Sequence, residues 1–255
     1  MDLFHIILLS IVQGITEWLP ISSSGHLVLL QEYFNLNVPL SFDIFLHLAS
    51  VFVLFVFFRM DILYMFRAVK NRNFNSDDGR LFLFIIIASI PTAIIGFLFQ
   101  DIFEGFFTNV LWVGIAFVFC GSLIFITRKR VQEKEIDFKK SFLIGIMQGI
   151  ALIPGISRSG GTISVGLLLG IDRKKALRFS FLLVIPAILG AFFFKLKEFV
   201  GYEISLDYLI ISFFVTFLVG YFTLKLLIKI VNSGKFYYFA YYCWAVGLWI
   251  LIFKL

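Results

Sequence analysis

Two stretches decide how this chain reads: "QGITEWLPISSSG" (Gln13 to Gly25) and "QGIALIPGISRSG" (Gln148 to Gly160). They lie 135 residues apart, and without gaps seven of their thirteen positions are identical. About one match would come by chance on ordinary residue frequencies. Each is entered from a short apolar arm, Leu3 to Ile15 and Ser141 to Ile153, of 13 residues. At ~1.5 Å per residue such an arm reaches about 20 Å, short of the ~30 Å hydrocarbon core. After the arm come Gly, Ser and Pro, and then a second short apolar arm. The expectation is two re-entrant helical hairpins, each returning to the side of the membrane it entered from.

The rest of the chain supplies that membrane. Of its 255 residues 60% are hydrophobic and only 15% charged, with 35 Phe, and mean hydropathy is +0.99. Soluble domains sit near 45–50% apolar and about 25% charged. Apolar runs recur throughout with short polar connections, so residues 1–255 form a single all-α polytopic membrane domain. The start, "MDLFHIILLSIVQG", lacks the basic lead and the small-residue cleavage site of a signal peptide and is expected to belong to the mature protein. Cys120 and Cys243 sit in apolar runs without metal-site spacing and read as small core residues.

Charge gives orientation, since short cytoplasmic loops collect Lys and Arg. Arg59 to Arg80 and Arg128 to Lys140 are basic and belong inside. Between them, Leu81 to Gln100 and Phe106 to Thr127 are expected spans, joined outside by the acidic turn Asp101 to Gly105. A span ending at Phe58 precedes them, and spans over Arg178 to Phe194, Tyr208 to Leu224 and Phe236 to Phe253 follow. The first hairpin then has its ends outside and the second, flanked by Lys140 and by Asp172 to Lys175, inside. Each half, about 1–127 and 136–255, is a hairpin plus three spans, an odd number, so the halves are inverted. Such repeats place a site near the midplane where their broken segments meet. The net charge of +6 is explained by topology and gives no reason to invoke nucleic acid. Oligomeric state is not readable.

Irregular polar backbone at membrane depth is tolerated where it is buried in protein or lines a watered cavity. Serines and glycines there can serve helix packing alone. Unpaired charge is costly in a bilayer and marks function, which singles out Glu17 and Arg158. The repeat opposes Glu17 to Leu152, Ser23 to Arg158 and His26 to Gly161. One half thus offers an acid, a hydroxyl and an imidazole, and the other a guanidinium among Gly, Ser and Thr. A guanidinium fork beside a half-helix start makes an anion cradle, while Ser23, His26 and Glu17 supply a nucleophile, a proton carrier and a base or metal ligand. His47, halfway along a span, has no assigned role, and His5 reads as structural. Phosphoryl transfer at membrane depth suits this set.

"QGITEWLPISSSGHL" and "PGISRSGGT" resemble the two signature regions of the undecaprenyl-diphosphate phosphatase family, also called bacitracin-resistance proteins, over essentially the full chain. The resemblance implies an integral membrane enzyme of the bacterial plasma membrane that removes one phosphate from a lipid-linked prenyl diphosphate. Its product is recycled as the carrier for cell-wall polymers. It implies catalytic roles for Glu17, Ser23, His26 and Arg158, and substrate contacts from Ser22, Ser24, Gly25, Ser157, Ser159, Gly160 and Thr162. It also implies a divalent cation, Mg²⁺ or Ca²⁺, at Glu17 and Gln13. Many members carry Glu in place of Gln13 and Gln in place of His47.

The expected mechanism has Arg158 and nearby N–H groups holding the diphosphate, the cation spreading its charge, and Ser23, deprotonated by His26, attacking the terminal phosphorus. Attack by a His26-activated water fits equally. A lipid phosphatase of the phosphatidic-acid type would need a histidine after Arg158, and the three histidines are His5, His26 and His47. A prenyl-phosphate transporter or flippase is the serious alternative, because inverted repeats with broken helices are a transporter design. A structural scaffold leaves Glu17 and Arg158 unexplained. The site is expected to open to the extracytoplasmic side.

Overall fold

The structure, a computed structural model, describes residues 2–107, 109–128, 134–200 and 205–253, with side chains omitted over 195–200. Among the described residues twelve α-helices run in order: α1 Leu3–Thr16, α2 Ser23–Tyr33, α3 Leu40–Phe57, α4 Arg59–Lys70, α5 Asp77–Leu98, α6 Gln100–Phe107, α7 Val110–Ile126, α8 Phe138–Ile150, α9 Arg158–Leu168, α10 Arg173–Val200, α11 Leu206–Asn232 and α12 Phe239–Phe253. Among the described residues there is no strand, only a single bridge from Lys134 to Ile171. The chain is therefore an all-α polytopic membrane protein. Five helical segments of the described residues are long and apolar enough to cross a bilayer: α3, α5, Arg173–Phe194 of α10, α11, and Phe236–Phe253.

The two short arms are built alike. Asp2 caps α1 by accepting from the His5 N–H at 3.0 Å, and Asp137 caps α8 by accepting from the Lys140 N–H at 2.8 Å. An N-cap carboxylate satisfies one of the amides a helix start leaves open. These two aspartates are themselves 135 residues apart. Past each break a serine restarts the helix: Ser22 accepts from Gly25 N at 3.2 Å, and Ser157 from Gly160 N at 3.0 Å. The turns rest on left-handed backbone, with φ of +65° at Ser22 and +96° at Gly155. A Cβ on Gly155 would lie 2.5 Å from the Val113 carbonyl oxygen, so only glycine fits.

Three expected connections differ. The basic stretch Arg59 to Arg80 contains α4, whose charged and aromatic residues alternate around a helix rather than a loop. The outside turn Asp101 to Gly105 lies within α6, and the expected span Phe106 to Thr127 is shortened to α7, because Phe106 and Phe107 end α6. The helix expected to end at Leu224 continues to Asn232. Residues 129–133 and 201–204 of the expected connections lie outside the described residues.

Each short arm packs on a long helix of the other half, α1 on α11 and α8 on α5, while α3 meets α10 and α7 meets α12. The two arm contacts use the same bond. Thr216 O–H donates to the Ser10 carbonyl at 3.2 Å, and Thr92 O–H donates to the Gly145 carbonyl at 2.9 Å. Side chains missing at Gly14 and Gly145 let these helices close: a Cβ would meet Val219 Cβ at 2.9 Å and the Ala88 carbonyl at 2.1 Å. Trp18, Phe42, Phe117, Phe179 and Phe181 are fully buried within, whereas Phe97, Phe193 and Phe222 are more than 60% exposed on outer faces. Aromatic surface of that kind suits lipid rather than water.

Candidate active site

The two breaks meet. Gly155 N–H donates to Ser22 Oγ at 3.1 Å, and Ser159 O–H donates to the Trp18 carbonyl at 3.1 Å. A Cβ on Gly25 would touch Phe117 at 2.6 Å and the Gly155 Cα at 3.0 Å, so glycine lets the backbones approach. The cysteines brace the same place: Cys120 Sγ accepts from Ser157 N–H at 3.3 Å, and Cys243 S–H donates to the Pro20 carbonyl at 3.5 Å. They hold the breaks, a structural task that their spacing did not reveal.

At this junction Glu17 is 3% exposed. Its Oε1 accepts from Arg158 Nη2 in an ion pair joining the two halves. Its Oε2 is 2.7 Å from Ser23 Oγ, 2.8 Å from His47 Nδ1 and 3.0 Å from Gln13 Nε2. The Ser23 hydroxyl thus donates directly to a carboxylate. Arg158 Nη1 is buried with no hydrogen-bond partner among the described residues, as is Gln13 Oε1. A buried guanidinium nitrogen with no acceptor fits an anion.

Glu17, Ser23, Ser24, His47, Ser157 and Arg158 line a cavity of about 560 Å³. Its walls are apolar, from Ile44, Leu152, Ile188 and Ala191 to Phe97 and Phe194, whose rings meet edge to face at 6.4 Å. Most other lining residues come from the first turns of α3, the last turns of α5, α6 and the second half of α10, with Leu27, Gln148, Ala151 and Ile156 beside the breaks. A charged, hydroxyl-bearing end and a long greasy wall together match a ligand with an anionic head and an apolar tail.

His26 departs from expectation. Its Nδ1–H donates to the Ser22 carbonyl at 2.7 Å, which leaves Nε2 to accept from Tyr242 O–H, also at 2.7 Å. The ring stacks on Tyr242 at 5.7 Å and meets Phe117 edge-on, outside the cavity lining. Both nitrogens are engaged and neither bonds Ser23, so the acceptor beside the hydroxyl is Glu17. Of the expected substrate contacts, Ser24 and Ser157 reach the cavity, whereas Ser22, Gly25, Ser159 and Gly160 hold the breaks. Thr162 donates to the Arg158 carbonyl at 2.8 Å and supports its turn. Unforeseen are Asp43, which is 5% exposed and accepts from Gln31 Nε2 at 2.9 and 3.0 Å, and the junction role of His47. A histidine and an aspartate one turn apart in an apolar span were the available signal.

The same geometry bears on a divalent cation. A carboxylate has about four lone-pair sites, and Glu17 meets four donors. No three His, Cys, Asp or Glu side chains among the described residues converge as a metal site. These residues do not fit a preformed cage for Mg²⁺ or Ca²⁺, and the partnerless oxygen near Glu17 is Gln13 Oε1.

Residues 6–249 match the family described as bacitracin resistance protein BacA. The chain is 43% identical to a protein named undecaprenyl-diphosphatase from Carboxydothermus hydrogenoformans, over 99% of this chain and 97% of that one. It is 41% identical to the protein of that name from Desulforapulum autotrophicum over 97% of each, and 39% identical to that from Methanobrevibacter smithii over 97% and 96%.

Proposed function

We propose, because this chain belongs to the bacitracin resistance protein BacA family, that its cavity is the active site of a membrane phosphatase. The enzyme hydrolyses undecaprenyl diphosphate to undecaprenyl phosphate and inorganic phosphate, recycling the lipid carrier for cell-wall synthesis and giving bacitracin resistance. The observation that carries the assignment of residues is the Ser23 hydroxyl bonded to the buried Glu17 carboxylate at 2.7 Å, beside Arg158.

In this reading the diphosphate lies against Arg158, with Nη1 taking an oxygen that Glu17 leaves to it, and Ser24 and Ser157 lining the same end. Ser23 Oγ attacks the terminal phosphorus while its proton passes to Glu17 Oε2. The bond from that phosphorus to the bridging oxygen breaks, and undecaprenyl phosphate leaves. Water then hydrolyses the phosphoserine, releasing inorganic phosphate and returning the proton to Ser23. The prenyl chain runs along the apolar wall toward Phe97 and Phe194. If a divalent cation such as Mg²⁺ or Ca²⁺ came with the substrate it would supply charge screening, and Gln13 Oε1 is the protein oxygen that would be free to face it.

We read the halves 1–127 and 136–255 as an inverted repeat, supported by the exchange packing of α1 on α11 and α8 on α5. The cavity then opens outside, since its lining comes from the ends of α3, α5 and α10 assigned to that side and from α6. Trapping ³²P-phosphoserine on Ser23 during turnover of labelled undecaprenyl diphosphate by purified protein tests the mechanism. Hydrolysis that survives Ser23→Ala would assign the attack to water. Movement of the lipid without phosphate release would assign the site to a carrier.

A further inference from the structure

Four donors surround Glu17, but they pull in two directions. Arg158 holds Oε1, while Ser23, Gln13 and His47 gather on Oε2. Of these, Ser23 is the group that the carboxylate must deprotonate, so something else has to keep Oε2 turned toward it. A guanidinium offers a second parallel bond to any carboxylate that rotates to face it. Here that second nitrogen, Nη1, is buried and partnerless. Without a counter-pull, Glu17 would swing into the fork, withdraw Oε2 from Ser23 and occupy the nitrogen needed by phosphate.

We propose that His47 is the positioning residue that supplies this counter-pull: its Nδ1–H, donated to Glu17 Oε2, holds the carboxylate between Ser23 and Arg158. An ionised carboxylate only accepts, so at 2.8 Å the imidazole Nδ1 carries the hydrogen. Gln13 Nε2 donates to the same oxygen at 3.0 Å, so two donors outside the reaction gather on Oε2. The histidine is itself anchored. It sits mid-helix on α3, one turn past Asp43, and Asp43 is tied to α2 through Gln31, so the arm that carries Ser23 and the helix that carries His47 are linked twice. His47 reaches Glu17 from a helix that belongs to neither break. The assignment rests on the proposed function only for the identity of the reaction.

The nitrogen that matters can be chosen by substitution. An asparagine amide places its nitrogen where Nδ1 stands, and a glutamine amide reaches the place of Nε2. In His47→Ala, kcat on undecaprenyl diphosphate should fall about 10²-fold, the scale of a small misplacement of a reacting group. His47→Asn should recover to within about tenfold of the parent, and His47→Gln should not. Affinity for inorganic pyrophosphate, read by calorimetry without turnover, should weaken in His47→Ala about tenfold and be kept in His47→Asn, because Arg158 Nη1 is filled by Glu17 only when the counter-pull is lost. A His47→Ala enzyme within threefold of the parent in kcat overturns the proposal, and so does an Asn variant as slow as the Ala one, or a Gln variant that outperforms Asn. If the Ala variant does not fold, the Asn and Gln pair decides alone. If the parent releases no phosphate from the lipid, the proposed function falls while the pyrophosphate comparison still tests His47.

Discussion

Glu17 and Arg158 are 141 residues apart in the chain and pair where the two breaks meet. Charge in an apolar sequence singled both out, and spacing could not show that they meet. The pair also sharpens what Arg158 can do: one nitrogen holds Glu17 and another is unpartnered, so the guanidinium is able to take a second acceptor without releasing the first. A lysine ammonium is a single point and cannot. Arg158→Lys should therefore lose about 10²–10³ in kcat, the usual loss for one preorganised charge-stabilising contact, with its thermal melt checked against the parent. His26 lies apart from Ser23 for a geometric reason. Three residues along a helix leave about 60° between side chains, enough for α1 to take Ser23 while α12 takes His26 through Tyr242. His26→Ala should accordingly keep kcat within about tenfold, whereas Ser23→Ala falls to background. Equal losses from the two would return His26 to the reaction.

At the scale of elements, the hairpins were readable because their arms are too short to cross and their breaks repeat. The connections were not, because α4 and α6 carry their polar residues on helices where composition suggested loops. The breaks depend on backbone that only some residues adopt. Gly155→Ala places a Cβ 2.5 Å from the Val113 carbonyl and forces a left-handed φ on alanine, a conformation costing about 1–2 kcal/mol before the clash. Its melting temperature should drop and activity be lost with it, while Gly190→Ala, with nothing within 4 Å, should melt like the parent. The caps give a pH signature. Lys140 N–H, bonded to the Asp137 carboxylate, holds that carboxyl below its ordinary range. The contribution is present above the unfolded carboxylate pKa and is lost as pH falls through the lower folded value. Asp137→Ala should cost about 1 kcal/mol near neutrality, and the gap to the parent should close in acid. A gap unchanged at low pH would remove the charged cap from the account.

For the whole molecule, the positions of Lys and Arg give an expected orientation, and the expected exposure of the site rests on it. Arg178 ties α10 to Asp61 of α4 and Asp78 of α5, pairs that close the end assigned to the cytoplasm. None of the three lines the cavity, whose residues from α5 and α10, such as Phe97 and Phe194, lie toward the other ends of those two helices. One labelling experiment decides between this arrangement and its mirror. Asn37 and Asn73 are both exposed, on connections assigned to opposite faces, and the native thiols Cys120 and Cys243 are fully buried and should stay silent. In intact cells a cysteine at Asn37 should react with an impermeant maleimide and one at Asn73 should react only after permeabilisation. The converse pattern would turn the cavity toward the cytoplasm. The enzyme would then meet its diphosphate on the inner leaflet, and the charge asymmetry that oriented the repeat would need another cause.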